Sequence, residues 1–92
     1  MIKSFKDKKT ENLFNGKNIK QFESFRKIAE RKLLMIDCAS SINDLRVPPA
    51  NRLETLSGNR KRQYSIRINS QWRICFIWSN DGVYDVEIVD YH

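Results

Sequence analysis

His92 is the only histidine in this chain of 92 residues, and it directly follows Asp90 and Tyr91. Imidazole is the side chain whose ordinary titration lies near neutrality. A carboxylate beside it favours the protonated form, and that form can hand a proton to a leaving group. A single histidine names no reaction by itself, but the other residue types narrow the options. Cys38 and Cys75 stand 37 residues apart with no CxxC pair, so the usual Cys/His zinc site is excluded and no metal or other cofactor is expected. Both cysteines are expected to be structural thiols, without a disulfide framework. The glycines are scattered at positions 16, 58 and 82, which rules out a glycine-rich phosphate loop.

Charge is the second signal. Seventeen Lys and Arg against eleven Asp and Glu leave a formal charge of +6. Residues 1–32 carry ten Lys/Arg and four Asp/Glu, and residues 46–73 carry seven Arg/Lys against Glu54 alone. Residues 74–92 carry Asp81, Asp85, Glu87 and Asp90 with no Lys or Arg. Two basic stretches and an acidic end in one small chain suit phosphate or acidic partners, bound more weakly as salt rises. Simple solubility accounts for the same excess. The chain holds no run of 18 apolar residues, and its first residues, MIKSFKDKKTE, lack the apolar segment of a signal peptide; a cytoplasmic protein without a membrane partner is expected.

The elements that must position these groups follow from periodicity. One domain fits residues 1–92. Met1 to Phe5 suits a short strand, and Ser4 to Asp7 has the spacing of a capping box for a first helix from about Phe5 to Asn15, ended by Gly16. A second helix is predicted after Asn18, with Phe22, Phe25, Ala29, Leu33 and Ile36 at steps of three and four, widened by Ile28 and Met35. Ser40 and Ser41 end it, and the segment SINDLRVPPANR is expected to be a loop because Pro48-Pro49 fits neither a helix interior nor a central strand. From Arg52 the period becomes two. Leu53–Leu56 is a short strand closed by Ser57-Gly58-Asn59; Tyr64, Ile66 and Ile68 alternate; Asn69-Ser70 makes a tight hairpin turn; Trp72, Ile74, Phe76 and Trp78 alternate; and Asn80-Asp81-Gly82 turns into Tyr84, Val86 and Ile88. The expected fold class is α+β, with two N-terminal helices on one face of a small twisted antiparallel sheet. Both tryptophans then belong to the core. Arg67, Arg73 and Glu87 share the opposite face, on the outside of the sheet.

The order of two helices and a meander, together with RLETLSGNR at 52–60, SIRINSQWRICF at 65–76 and EIVDYH at 87–92, closely resembles the HigB toxins of the RelE/ParE superfamily. The resemblance covers essentially the whole chain. It implies the toxin of a type II toxin–antitoxin pair: a ribosome-dependent endoribonuclease that cleaves mRNA in the ribosomal A site without a metal and so stops translation. The implied partners are a helix-turn-helix antitoxin of the HigA type, the ribosome and mRNA, with operator DNA reached only through the antitoxin complex.

Such cleavage needs a base for the 2′-hydroxyl, an acid for the leaving 5′-oxygen and cations for the phosphorane. The resemblance places the functional signature at Asp90, Tyr91 and His92, with His92 as acid, Asp90 as its orienting partner or the base, and Tyr91 stacking or assisting proton transfer. Arg73 is the candidate for holding transition-state charge, and Arg67 is similar. Glu54 stands where some relatives carry a catalytic histidine, and Ser57 where some carry a lysine, which makes Glu54 a second candidate base. Arg60, Lys61 and Arg62 form one basic cluster, and Lys3, Lys6, Lys8, Lys9, Lys17 and Lys20 another; both are candidates for sequence-independent contact with RNA phosphates. Two other activities fit the same fold: a ParE-like gyrase poison, which needs no acid–base pair, and a non-catalytic RNA-binding module.

Overall fold

The computed structural model describes residues 1–56 and 62–91. Two α-helices, α1 (Lys8–Phe14) and α2 (Arg26–Cys38), precede four strands, β1 (Glu54–Thr55), β2 (Gln63–Arg67), β3 (Trp72–Ser79) and β4 (Gly82–Asp90). The strands form one antiparallel sheet in the order β1-β2-β3-β4. This is the α+β meander expected of the residue pattern.

The helices cover one face of the sheet. Phe22, Phe25, Ala29, Leu33 and Ile36 meet Ile66, Ile74, Phe76 and Ile88 in a continuous buried cluster. Trp72 closes its end, with ring centroids 5.7 Å from Phe22 and 5.2 Å from Phe25, and Trp78 packs at the margin. Burial of these side chains is the main term holding the two layers together.

Several boundaries differ from the sequence expectation. The first helix starts at Lys8 because Asp7, not Ser4, is its N-cap: the Asp7 carboxylate accepts the Thr10 amide at 2.8 Å. Ser4 instead accepts the Asp85 amide at 2.9 Å. Residues 1–6 form no strand of their own; Ile2 and Phe5 make isolated parallel bridges to Val83 and Val86. These bridges, with Thr10 Oγ1 accepting the Ile88 amide at 3.0 Å, occupy the outer edge of β4 and blunt it against further pairing. Gly16, at φ 91°, terminates α1 as expected.

The predicted second helix divides into a 3-10 turn, Lys20–Phe25, and α2, with Ile19 rather than Asn18 at the N-cap position. Ile28 is exposed, so the inward stripe is narrower than the sequence suggests. The expected loop after α2 contains two 3-10 turns, Ile42–Arg46 and Pro49–Asn51, and the β2–β3 connection runs through Ile68–Gln71, organised by the Asn69 side chain, in place of a two-residue turn. In β4, Asp85 adopts φ 53° and inserts one residue opposite β3: Cys75 faces Glu87 while Ile77 faces Tyr84. The bulge moves the inward phase by one residue. Val83 therefore enters the core beside Val86, and Tyr84, expected inside, turns its hydroxyl to Asp81 at 2.7 Å. That bond holds the Asp81 carboxyl below its ordinary value and the Tyr84 phenol above its own.

Candidate active site on the uncovered sheet face

The face of the sheet away from the helices carries Glu54 opposite Ser65, Ser65 opposite Cys75, and Arg67 opposite Arg73. Glu87, opposite Cys75, shares it as expected. The sequence places Arg73 on an open surface, but the structure buries it to 7% exposure. Its side chain crosses from β3 over β2 towards β1. Nε donates to Ser65 Oγ at 2.9 Å, and Nη2 donates to the Ser65 carbonyl at 3.2 Å and to the Arg52 carbonyl at 2.6 Å. Glu54 Oε1 lies 3.9 Å from Nη2, and the Tyr91 ring covers the guanidinium, 5.7 Å from Cζ to centroid. A planar cation held by oxygens in its own plane and by a ring face is oriented as well as paired.

Arg73, Glu54 and Tyr91 thus come together at one end of this face. Asp90 sits beside them in sequence but pairs with Trp72 across the β3–β4 ladder, on the helix side, and accepts from Gln71 Nε2 at 3.1 Å. Its carboxylate turns away from Arg73 because strand side chains alternate. Arg67 donates through Nε to the Asn69 carbonyl at 3.1 Å, closing the hairpin. His92, Arg60 and Lys61, together with Ser57, lie outside the described residues; Arg62 is exposed in the turn just before β2, with its carbonyl accepting the Trp78 amide.

Three of the amino-terminal lysines have separate partners. Lys6 pairs with Glu87 at 3.7 Å, Lys8 with Glu11 at 3.5 Å, and Lys9 donates to Gln21 at 2.8 Å. Exposed pairs of this kind hold little energy. The two cysteines are also unlike each other: Cys75 is buried in β3, whereas Cys38 is exposed at the end of α2, contrary to the expectation of two structural thiols.

Three contributors were not visible in the sequence. Ser65, fully buried, is the acceptor for Arg73 Nε; a serine at an alternating outward position carries no signal of its own. Arg52 matters through its carbonyl, which a left-handed backbone (φ 45°, ψ 57°) turns towards Arg73. Lys32, buried on α2, donates to Asn51 Oδ1, and Asn51 in turn donates to the Leu45 carbonyl at 3.1 Å and the Val47 carbonyl at 3.4 Å. Burial, then the Arg31 and Arg67 guanidinium groups, holds the Lys32 ammonium below its ordinary value of 10.5. A cleft beside this region is lined by Arg46, Leu53, Glu54, Thr55 and Tyr64. Among the described residues no three His, Cys, Asp or Glu side chains come together as a metal set, and no helix is long and apolar enough to cross a membrane.

Comparison with known proteins bears on what this arrangement serves. A family model described as the RelE-like toxin of type II toxin–antitoxin system HigB matches residues 3–92. Toxin HigB-1 of Vibrio cholerae serotype O1 is 41% identical over 85 residues, covering 90% of this chain and 88% of the relative. Endoribonuclease HigB of Proteus vulgaris is 35% identical over 95 aligned positions, with both chains covered in full. The match spans the helical layer, the meander and the face that holds Arg73, and the chain belongs to the RelE-like HigB toxin family of type II toxin–antitoxin systems.

Proposed function

We propose that this toxin is a ribosome-dependent endoribonuclease that cleaves mRNA by attack of the 2′-hydroxyl, without a metal ion, and so inhibits translation and growth. The observation that carries the reading is the oriented guanidinium of Arg73 beside the Glu54 carboxylate, 3.9 Å away, under the Tyr91 ring. The name of the Proteus vulgaris relative, an endoribonuclease, supports the same chemistry.

In the proposed reaction Glu54 accepts the 2′-hydroxyl proton as O2′ bonds to phosphorus. His92 gives a proton to O5′ as the P–O5′ bond breaks, leaving a 2′,3′-cyclic phosphate and a free 5′-hydroxyl. Arg73 holds the charge that accumulates on the phosphorane, the step for which a fixed cation is worth most. Tyr91 stacks on a neighbouring base or shields the phosphate from water, and Asp90 orients the chain end that carries His92. Arg60, Lys61, Arg62 and Arg67 contact RNA phosphates, and Lys6, Lys8 and Lys9 add a diffuse positive field. The partners are a HigA-type antitoxin with a helix-turn-helix, the ribosome and mRNA, with operator DNA bound only in the antitoxin complex.

The test is cleavage of a defined message by the purified protein, stripped with EDTA and desalted beforehand, with and without translating ribosomes. Cleavage should need ribosomes, and Arg73→Ala should slow it by about 10²–10³-fold. His92→Gln should leave folding intact and abolish cleavage and growth inhibition. An intact message with inhibited gyrase supercoiling would establish a topoisomerase poison; binding to RNA with neither activity would establish a non-catalytic module.

A further inference from the structure

We infer that Ser65, together with the carbonyl of Arg52, is the positioning device for Arg73, holding one edge of the guanidinium so that its remaining N–H groups point at the phosphate. The inference rests on the reading of Arg73 given above and assigns a role to two groups that act through its guanidinium.

The geometry is specific. Arg73 has hydrogen bonds to three oxygens of two residues, all through Nε and Nη2. Nη1 takes part in none of them. Because a guanidinium is planar, fixing Nε and Nη2 fixes the direction of the Nη1 edge as well. Ser65 is fully buried at the centre of three strands, opposite Glu54 on one side and Cys75 on the other. Its hydroxyl is therefore carried on backbone that is paired on both sides. The second anchor is built with strain: Arg52 is a non-glycine residue at φ 45°, a conformation that persists where its surroundings dictate it. Those surroundings are present. The Arg52 amide donates to the Pro49 carbonyl at 3.0 Å, and the fully buried Asn51 beside it ties together Leu45, Val47 and Lys32. A chain of fixed groups thus runs from α2 through Asn51 to the Arg52 carbonyl and the guanidinium.

Two measurements on the full chain test this. The first is a double-mutant cycle in single-turnover cleavage of ribosome-bound message. Ser65→Ala should slow the wild-type reaction by about 10–100-fold, the cost of a slightly misplaced group, with message affinity unchanged. In an Arg73→Ala background the same change should cost less than about 2-fold, because sites acting through one group are not additive. Ser65→Thr, which keeps the hydroxyl, should restore most of the rate. Equal slowing in both backgrounds, or none in wild type, would overturn the inference. The second measurement does not depend on cleavage: the Arg73 Nε–H resonance in 15N NMR should exchange slowly with water in wild type and in Ser65→Thr, and rapidly in Ser65→Ala. Slow exchange retained in Ser65→Ala would overturn the positioning role. Wild-type cleavage by Arg73→Ala would instead overturn the functional reading, with the NMR result still deciding what Ser65 does.

Discussion

The two faces of the sheet are organised by different forces. On the helix side, Ile66, Ile74, Phe76 and Ile88 lie against Leu33, Ile36 and the aromatic group of Phe22, Phe25 and Trp72. These contacts are non-directional, and what counts is volume and area removed from water. On the other side the sheet holds Arg73, Ser65 and Glu54, where donors and acceptors must meet at set angles. The first face can exchange one apolar residue for another of similar volume at modest cost. On the second, loss of Arg73 or Ser65 takes a hydrogen-bond partner from a buried polar group. One sheet thus carries non-directional packing on one side and directional polar bonding on the other.

The largest expected effect is on the packed side. Phe76→Ala should remove about 3–5 kcal/mol of unfolding free energy in urea titration, through lost burial and the cavity left behind. A loss under about 1 kcal/mol would mean that the helix-side cluster is not the principal core. Next is Arg73→Lys, which keeps the charge but not the planar fork. Cleavage should stay at least about 10-fold below wild type, while the thermal midpoint moves less than for Phe76→Ala. Full activity of the lysine variant would show that charge alone suffices and would erase the distinction between the faces.

The smallest effect concerns the segment that delivers the Arg52 carbonyl to the polar face. Asp44 caps the Ile42–Arg46 turn, which precedes Pro49–Asn51, by accepting the Ser40 and Ser41 amides at 2.8 and 3.2 Å. These bonds, the Ser40 amide first, hold its carboxyl below the ordinary value of 3.8. A carboxyl depressed in the folded state contributes stability that is present above the unfolded value and is lost as pH falls through the folded one. Asp44→Asn should therefore lower stability modestly at neutral pH, where the charged carboxylate contributes, and flatten the acid limb below pH 3.8, so that the wild-type and variant curves converge in acid. An acid limb unchanged by the substitution would show that the cap contributes nothing.

Much of the architecture was legible in advance because it rests on periodicity. The step of three and four through Phe22, Phe25, Ala29, Leu33 and Ile36, and the alternation through Ile66, Ile74 and Phe76, each identified side chains that are buried. The errors have local physical causes. Ser4 and Asp7 both suit an N-cap, and the choice fell to Asp7 because the Ser4 hydroxyl is taken by the Asp85 amide, a partner 81 residues away. Simple alternation points Tyr84 inward because it assumes an uninterrupted ladder, which the Asp85 bulge breaks. The candidate site was legible in part: Arg73, Glu54 and Tyr91 do come together, whereas Asp90 turns to Gln71.

Residue types and their spacing determined the fold class, the apolar face, the positive charge and the family, since all of these are carried by hydrophobic period and short-range motif. Tertiary structure alone decided that Arg73 is buried and oriented, that an unremarkable serine is its partner, and that a strained carbonyl before β1 completes the set. Those bonds join positions from three strands and the turn that leads into them. Their directions depend on where each backbone passes in space, a quantity that no local pattern encodes.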